Sequence, residues 1–275
     1  MHSFDGDSIA VSIDSHKGEI RLQHFLTAGP GHIAEAARYC RDIACSAYRI
    51  GPNSTLLRQG TAMAKGGLLV VSDRNAPPVH RPDALCAAIL RECGRQQFQG
   101  AVLDFEETPQ QDLFAFAKQL EQTLSSTKKA LYLTENYAAV GGQSILLLCS
   151  AISGGNYTQH LRRAATRRGD VCRMALDVQR LRMDFTLPCL SGEGKTLTAE
   201  ELHRLTEQER PSVFFSPDLC TRYFTYARDG TAHFVLFDDA DTINQKVKIA
   251  ASLGYAAAFF LWPEVCDIAK GIVFR

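Results

Sequence analysis

Short apolar runs alternate with longer amphipathic segments through most of the chain. The runs at 66–73 and 100–105 are nearly continuous in apolar residues, as in strands that are buried on both faces. In the segment that follows the second run, apolar residues recur every three or four positions, as at Leu113, Phe116 and Leu120, which predicts an amphipathic helix. The pattern therefore predicts repeated βα units.

Repeated βα units form a parallel sheet that helices cover on both faces. The further predicted elements are helices at 81–94, 158–169 and 241–254 and strands at 129–134, 144–151, 172–178 and 256–264. With two more strands within 8–50, the count reaches about eight, which favours a (β/α)8 TIM-type barrel over an open sheet. The barrel is expected to be somewhat irregular, because the step from 129–134 to 144–151 is short for a parallel crossover.

One stretch before the last strand has the pattern of an antiparallel hairpin. Residues 222–239 alternate and turn at Asp229 and Gly230, a pair typical of two-residue hairpin turns. Ahead of it, Thr198 and Glu201 have the spacing of a capping box that starts a helix. We expect a single barrel domain over 1–275, with an excursion at about 212–239.

Composition narrows the classes of partner. Lys and Arg together equal Asp and Glu at 30 each, so the chain is neutral, which predicts neither a nucleic acid nor a membrane as partner. The nine cysteines include no C-x-x-C pair and are expected to be free thiols; no metal ion or other cofactor is predicted. The opening MHSFDGDSIAVS has no basic segment followed by an apolar one, which predicts a cytoplasmic protein without a signal peptide.

The candidate chemistry lies in the stretch QGAVLDFEE, where Asp104 and Glu106 are two residues apart. Side chains of a strand alternate, so both acids share a face with Val102, and in a barrel that face looks inward near the carboxyl rim. Two carboxyl groups so close cannot both ionise freely. We expect Glu106 to keep its proton, as a general acid must. Alternatively, Glu106 is an exposed loop residue and Asp104 caps the next helix.

The same stretch resembles the fourth-strand signature of glycoside hydrolase family 18, the chitinase and endo-N-acetylglucosaminidase group. That signature reads Asp-Gly-x-Asp-x-Asp-x-Glu. Gly100, Asp104 and Glu106 match its glycine, third aspartate and glutamate, whereas Gln99 and Val102 stand where the other two aspartates belong.

The stretch HFVLFDDADTINQKVKIAASLGYAAAFFLWPE resembles the end of bacterial members of that family, especially those of the spore-cortex type. Asp238, Lys246 and Trp262 fall on an Asp-rich turn, a helix with a central lysine and a last strand that ends in tryptophan. The resemblance is firm over about 66–126 and 220–264. It implies association with the spore or cell wall as an alternative to a cytoplasmic location.

The resemblance implies retaining hydrolysis of β-linked N-acetylglucosamine polymers, in which the substrate's own acetamido group is the nucleophile. Glu106 would protonate the leaving oxygen, and Asp104 would hold and stabilise the acetamido group. Trp262 would form a hydrophobic floor beneath the sugar, unless it is a buried structural residue.

The sixth strand departs from the family pattern. Members carry Met-x-Tyr-Asp there, and the tyrosine orients the acetamido oxygen, but residues 146–153 read LLLCSAIS. Tyr137, Asn136 and Asp177 are the candidates to replace it. Two functions stay open: a glycan hydrolase, or a non-catalytic, lectin-like carbohydrate-binding protein of the same fold.

Overall fold

The structure, a computed structural model, describes residues 22–61, 64–189 and 192–274. The residues behind the signal-peptide argument, 1–12, lie outside the described residues. All nine cysteines are free, and five of them are buried. Among the described residues, no helix is both long enough and apolar enough to cross a bilayer.

Eight parallel strands form a closed barrel, numbered here β1 to β8 in chain order. They are β1 (Gln23–Ala28), β2 (Ile43–Gly51), β3 (Leu68–Ser72), β4 (Gly100–Asp104), β5 (Ala130–Thr134), β6 (Ile145–Cys149), β7 (Met174–Val178) and β8 (Ala257–Leu261). Closure comes from β1, which pairs in parallel with β2 on one side and with β8 on the other. The predicted (β/α)8 barrel is confirmed.

Helices surround the strands. They are α1 (Ile33–Ala36), α2 (Pro82–Gln96), α3 (Gln111–Ser126), α4 (Tyr157–Arg168), α5 (Ala199–Glu209), α6 (Ala240–Leu253) and α7 (Trp262–Val265). Between β5 and β6 the connection is only the 3₁₀ helix Glu135–Val140, which is the irregularity that the short spacing predicted. After β2 the chain folds back as the antiparallel strand Thr55–Arg58.

The apolar residues fall into an inner and an outer layer. Alternate side chains of the barrel strands fill the barrel interior: Phe25, Ala44, Leu68, Val70, Val102, Tyr132, Leu147, Ala175, Ala257 and Phe259. The side chains between them, such as Leu103 and Leu148, belong to the outer cluster that the helices cover. Membership of one layer or the other therefore shows which way a strand residue points.

An antiparallel sheet of five strands is inserted between β7 and α6. In spatial order its strands are Lys195–Thr196, Arg182–Leu187, Thr231–Phe237, Thr221–Arg228 and Phe214–Ser216. The predicted hairpin is confirmed: Asp229 and Gly230 both have positive φ, as a tight two-residue turn requires. The inserted sheet begins at Arg182, so the excursion expected at about 212–239 is the second part of a longer insertion. A single domain over 1–275 stays a prediction.

A buried ion pair joins the insertion to the barrel. The Lys246 ammonium of α6 lies 2.7 Å from the Asp238 carboxylate at the end of the hairpin, and both side chains are fully buried. The same carboxylate accepts hydrogen bonds from the hydroxyls of Thr221 and Thr242, at 3.0 and 2.9 Å, and from the backbone N–H of Leu181 at 3.1 Å. These bonds hold both ends of the insertion against α6.

Candidate active site

Asp104 is the last residue of β4, and its side chain points into the carboxyl end of the barrel. Val102, two residues earlier, packs in the barrel interior, whereas Leu103 and Phe105 belong to the outer cluster. Asp104 is part-buried and Glu106 is exposed in the loop that follows. The alternative in which Asp104 caps the next helix does not hold, because α3 starts seven residues later with Gln110 at its N-cap.

The loop that carries Glu106 is anchored from both neighbouring strands. The backbone N–H groups of Glu106 and Glu107 donate to the two carboxylate oxygens of Asp73, at 3.1 and 3.2 Å. The Thr134 hydroxyl donates to the carbonyl oxygen of Phe105 at 2.8 Å. Asp73 is 3% exposed and directly follows β3. Asp73 was not predicted from the sequence, although an acid directly after a barrel strand is a signal that could have indicated it.

Asp177 faces the same opening from β7. Ala175, two residues earlier, lies in the barrel interior, and Asp177 is part-buried. The Gln179 side-chain amide donates to one of its carboxylate oxygens at 2.8 Å. Two of the predicted site residues, Asp104 and Asp177, thus lie at one end of the barrel, with Glu106 in the adjacent loop.

These acids interact electrostatically. Burial, together with the nearby charges of Glu106, Asp177 and Asp73, raises the pKa of Asp104 to about 6. Burial is also the main cause that raises the pKa of Asp177 to about 6; the Gln179 bond opposes the rise and the Glu106 charge adds to it. We expected Glu106 to be the member of the Asp104–Glu106 pair that holds the proton. Burial raises the pKa of Asp104, so this acid is also a candidate to hold the proton, and the role of Glu106 stays a prediction.

Trp262 does not form a floor of this opening. Its side chain is 1% exposed and belongs to the outer cluster, where the ring centroid lies 5.2 Å from that of Tyr39 and Nε1 donates to Glu35 at 3.3 Å. Trp262 follows the strand by one residue, which turns it outward. Leu261 takes the inward position, paired with Thr27 across the strands, and is 44% exposed.

Tyr137 does not reach the opening either. It is fully buried in the outer cluster, with its ring centroid 5.3 Å from Phe105 and 6.2 Å from Phe114. Its predicted role as a replacement for the family's tyrosine does not fit this position, because the aromatic packing encloses the ring. Asn136, one residue earlier, is exposed on the 3₁₀ helix that directly follows β5.

The end of β6 carries a thiol and no tyrosine. Cys149 follows the interior residue Leu147 by two positions, so it points inward, and Ala151 N–H donates to its sulfur at 3.4 Å. Ser150 is fully buried; its N–H donates to the Asp177 carbonyl at 2.9 Å, and its hydroxyl accepts from Gln179 N–H at 3.1 Å. These bonds join the ends of β6 and β7.

The arrangement suits acid–base chemistry by carboxyl groups. Within residues 22–61, 64–189 and 192–274, no group of three or more His, Cys, Asp or Glu side chains is arranged to hold a metal ion. The opening combines an exposed carboxyl, Glu106, with two part-buried ones, Asp104 and Asp177, whose pKa values are raised to about 6. Such groups can donate a proton, accept one, and hydrogen-bond an amide.

No family model and no curated protein sequence matches the chain. Solved structures do. The spore cortex-lytic enzyme SleL of Bacillus megaterium is 14% identical, with a TM-score of 0.63 over 93% of this chain and 76% of that one. A chitinase from Chromobacterium violaceum is 15% identical, with a TM-score of 0.63 over 91% and 99%. A class V chitinase from Nicotiana tobaccum in complex with NAG4 is 8% identical, with a TM-score of 0.67 over 91% and 99%.

At these identities the likeness shows the fold. The chain has the barrel fold of chitinases and spore cortex-lytic enzymes, and it covers three quarters or more of each of these neighbours. The fold that the family 18 resemblance implied is therefore confirmed.

Proposed function

We propose that the chain is a glycoside hydrolase that cleaves β-linked glycans containing N-acetylglucosamine, with Glu106 as the general acid. The observation that carries this proposal is the placement of Asp104 and Glu106. One ends β4 pointing into the barrel, and the other lies in a loop that Asp73 anchors. The chitinase-like fold and the NAG4 bound to one structural neighbour support an N-acetylglucosamine polymer as substrate.

In the proposed reaction, which the family resemblance implies, the two acids have separate roles. Glu106 protonates the glycosidic oxygen as its bond to the anomeric carbon breaks, while the acetamido carbonyl oxygen of the same sugar bonds to that carbon. This attack closes a five-membered ring. Asp104 accepts the acetamido N–H and stabilises the positive charge that develops on this new ring. Glu106 then removes a proton from the water that attacks the anomeric carbon and opens the five-membered ring, which regenerates the acid and retains the β configuration.

A non-catalytic glycan-binding function is the second candidate, and two observations favour it. Trp262 is buried away from the opening, and the end of β6 has no tyrosine to orient the acetamido oxygen. A binding protein has no need of a general acid, so the anchored Glu106 argues for the hydrolase.

Glu106→Gln tests the role of the acid, because it keeps shape and hydrogen-bonding reach but cannot deliver a proton. We expect turnover of an aryl N-acetylglucosamine oligomer to fall about 100-fold or more, the usual worth of a positioned general acid. Binding of the intact oligomer, followed by calorimetry, should survive.

The matched control is Glu107→Gln, the same change at the next exposed position. Its amide oxygen can still accept the hydrogen bond that Asn75 N–H gives the native side chain at 3.1 Å, so activity should be retained. Equal turnover of Glu106→Gln and wild type would contradict the acid assignment. Binding by wild type without hydrolysis would support the lectin-like function, and neither binding nor cleavage would contradict both.

A further inference from the structure

We propose that Asp177 of β7 positions the acetamido group of the glycan, in the place of a tyrosine on the sixth strand. This inference rests on the proposed function and deepens it. It assigns to Asp177 one specific contact, a hydrogen bond donated to the acetamido carbonyl oxygen.

The end of β6 supplies no group for this contact. Its five residues, Ile145–Cys149, carry no hydroxyl, and the Cys149 sulfur accepts a hydrogen bond from its own loop. The next hydroxyl, on Ser150, is fully buried and occupied by the backbone of Gln179. A donor to the acetamido group has to come from a neighbouring strand.

Asp177 lies on the neighbouring strand β7, directly beside the end of β6, where no tyrosine is present. It pairs with Cys149 across the two strands, and the bond from Ser150 N–H to its carbonyl holds the strand ends together at 2.9 Å. Its side chain has the inward direction that Ala175 shows two residues earlier. Asp177 therefore reaches the opening from almost the same place as the missing residue.

One oxygen of the Asp177 carboxyl is available. Gln179 Nε2 donates to Oδ2, which fixes the orientation of the group. Oδ1 has no hydrogen-bond partner within the described part of the chain. When the group is protonated, a hydroxyl at this position can donate to a substrate carbonyl.

The surroundings favour the protonated form up to about pH 6, above the usual range of an aspartate. The titratable groups near Asp177 on the neighbouring elements are Glu106 and Asp104 on the β4 side and Cys149 on β6. Burial and the Glu106 charge together raise the pKa of Asp177 to about 6, and the hydrogen bond from Gln179 opposes the rise. The contact is therefore present below about pH 6 and weakens above it, because an ionised carboxylate repels a carbonyl oxygen.

This arrangement makes the two acids complementary to an amide. Asp104 accepts the acetamido N–H, and Asp177 donates to its C=O. A sugar polymer of the same β-1,4 linkage without acetamido groups loses both contacts. The site should therefore prefer chitotetraose to cellotetraose.

Binding measured in the Glu106→Gln background tests this preference, because that variant leaves the oligomer intact. At pH 5 we expect chitotetraose to bind at least tenfold more tightly than cellotetraose, as two hydrogen bonds allow. Asp177→Ala should lower this ratio severalfold. Asp177→Asn should keep it, since its amide can donate to the carbonyl at any pH.

The pH dependence separates positioning from a structural role. With Asp177 present, its contribution to the ratio should fall as the pH rises from 5 to 8, and the fall should start at a lower pH in this background because Glu106→Gln removes a charge that raises the pKa of Asp177. The Asn variant should lose this fall. Any pH dependence that remains belongs to Asp104 and has the opposite sign, because its ionised form accepts the acetamido N–H better. Asp229→Asn, in the exposed hairpin turn where Asn tolerates positive φ, is the control and should leave the ratio unchanged.

Each outcome decides. A ratio that Asp177→Ala leaves unchanged overturns the role of Asp177 while the proposed function stands. If the Ala variant does not fold, the Asn variant provides the test. The same pH dependence of the binding ratio with Asn and with the native Asp at position 177 overturns the role of Asp177 equally. No preference for chitotetraose in either variant overturns the inference. If the wild type shows no turnover but the preference for chitotetraose still depends on Asp177, only the proposed hydrolase activity is contradicted.

Discussion

At the scale of single residues, Asp104 is a group whose burial lowers the stability of the folded chain above its pKa. In the unfolded chain its pKa is near 3.8, and in the folded chain burial and neighbouring acids raise it to about 6. Between these values the folded state binds more protons than the unfolded state, so Asp104 lowers the free energy of unfolding as the pH rises from about 4 to about 6.

Asp104→Asn should therefore stabilise the protein above pH 6. We expect a gain in the free energy of unfolding on the order of 1–3 kcal/mol at pH 8, because two pKa units correspond to roughly that much before solvent screening. Below about pH 4 the difference should vanish. Urea unfolding at pH 4, 6 and 8, with Asp229→Asn as the control, measures it; a gain that does not depend on pH would contradict the electrostatic cause.

Trp262 and Tyr137 show why part of the candidate site could not be predicted from the sequence. Asp104 could be placed, because strand alternation and an apolar neighbour on each side fix its direction. Trp262 could not, because a shift of one residue at the end of β8 exchanges the inward and outward faces. Tyr137 failed for a similar reason: it lies in a 3₁₀ helix whose direction depends on contacts with Phe105 and Phe114, which are distant in sequence.

At the scale of elements, the start of α5 shows how local signals define a helix. The Thr198 hydroxyl accepts from Glu201 N–H at 3.0 Å, and the Glu201 carboxylate accepts from Thr198 N–H at 2.8 Å, as the capping-box spacing predicted. Thr198→Ala should lower the free energy of unfolding by about 1 kcal/mol, since it leaves a helix N–H without its partner. Thr198→Ser should keep most of the stability in the same thermal or urea unfolding; an equal loss in both variants would contradict the capping role.

Elements that depend on distant partners were not predictable in this way. The hairpin at Asp229 and Gly230 has its turn chemistry within the sequence itself. The strand Arg182–Leu187 pairs with Lys195–Thr196 and also with a strand more than 40 residues further on, Thr231–Phe237. Their existence depends on that long-range pairing, which no local pattern indicates, so the expected excursion was too short.

At the scale of the whole molecule, the barrel accounts for both the fold prediction and the grouping of the acids. Parallel strands that close into a barrel bring all of their carboxyl ends to one rim. Residues far apart in the sequence, such as Asp104 and Asp177, then face one opening. The order of strands and helices was therefore enough to predict that these acids meet at one rim, although not which other side chains surround them.

The whole molecule also depends on the buried pair of Lys246 and Asp238, which joins the insertion to the barrel. The Lys246 ammonium also lies 5.6 Å from the centroid of the Tyr157 ring on α4, so Lys246 links α6 both to the insertion and to α4. Lys246→Met leaves the Asp238 carboxylate buried without its counter-charge. We expect a loss of about 3–5 kcal/mol in the free energy of unfolding, the usual cost of breaking one side of a buried pair.

The double variant Lys246→Met with Asp238→Asn distinguishes an ion pair from simple packing. Because it removes both charges together, its loss should be smaller than the sum of the two single losses. Lys248→Met, an exposed lysine on the same helix, is the control and should change stability by less than about 0.5 kcal/mol. Urea unfolding at pH 7 measures all four variants. Additive losses, or a Lys246→Met variant as stable as Lys248→Met, would show that the pair does not hold the insertion to the barrel.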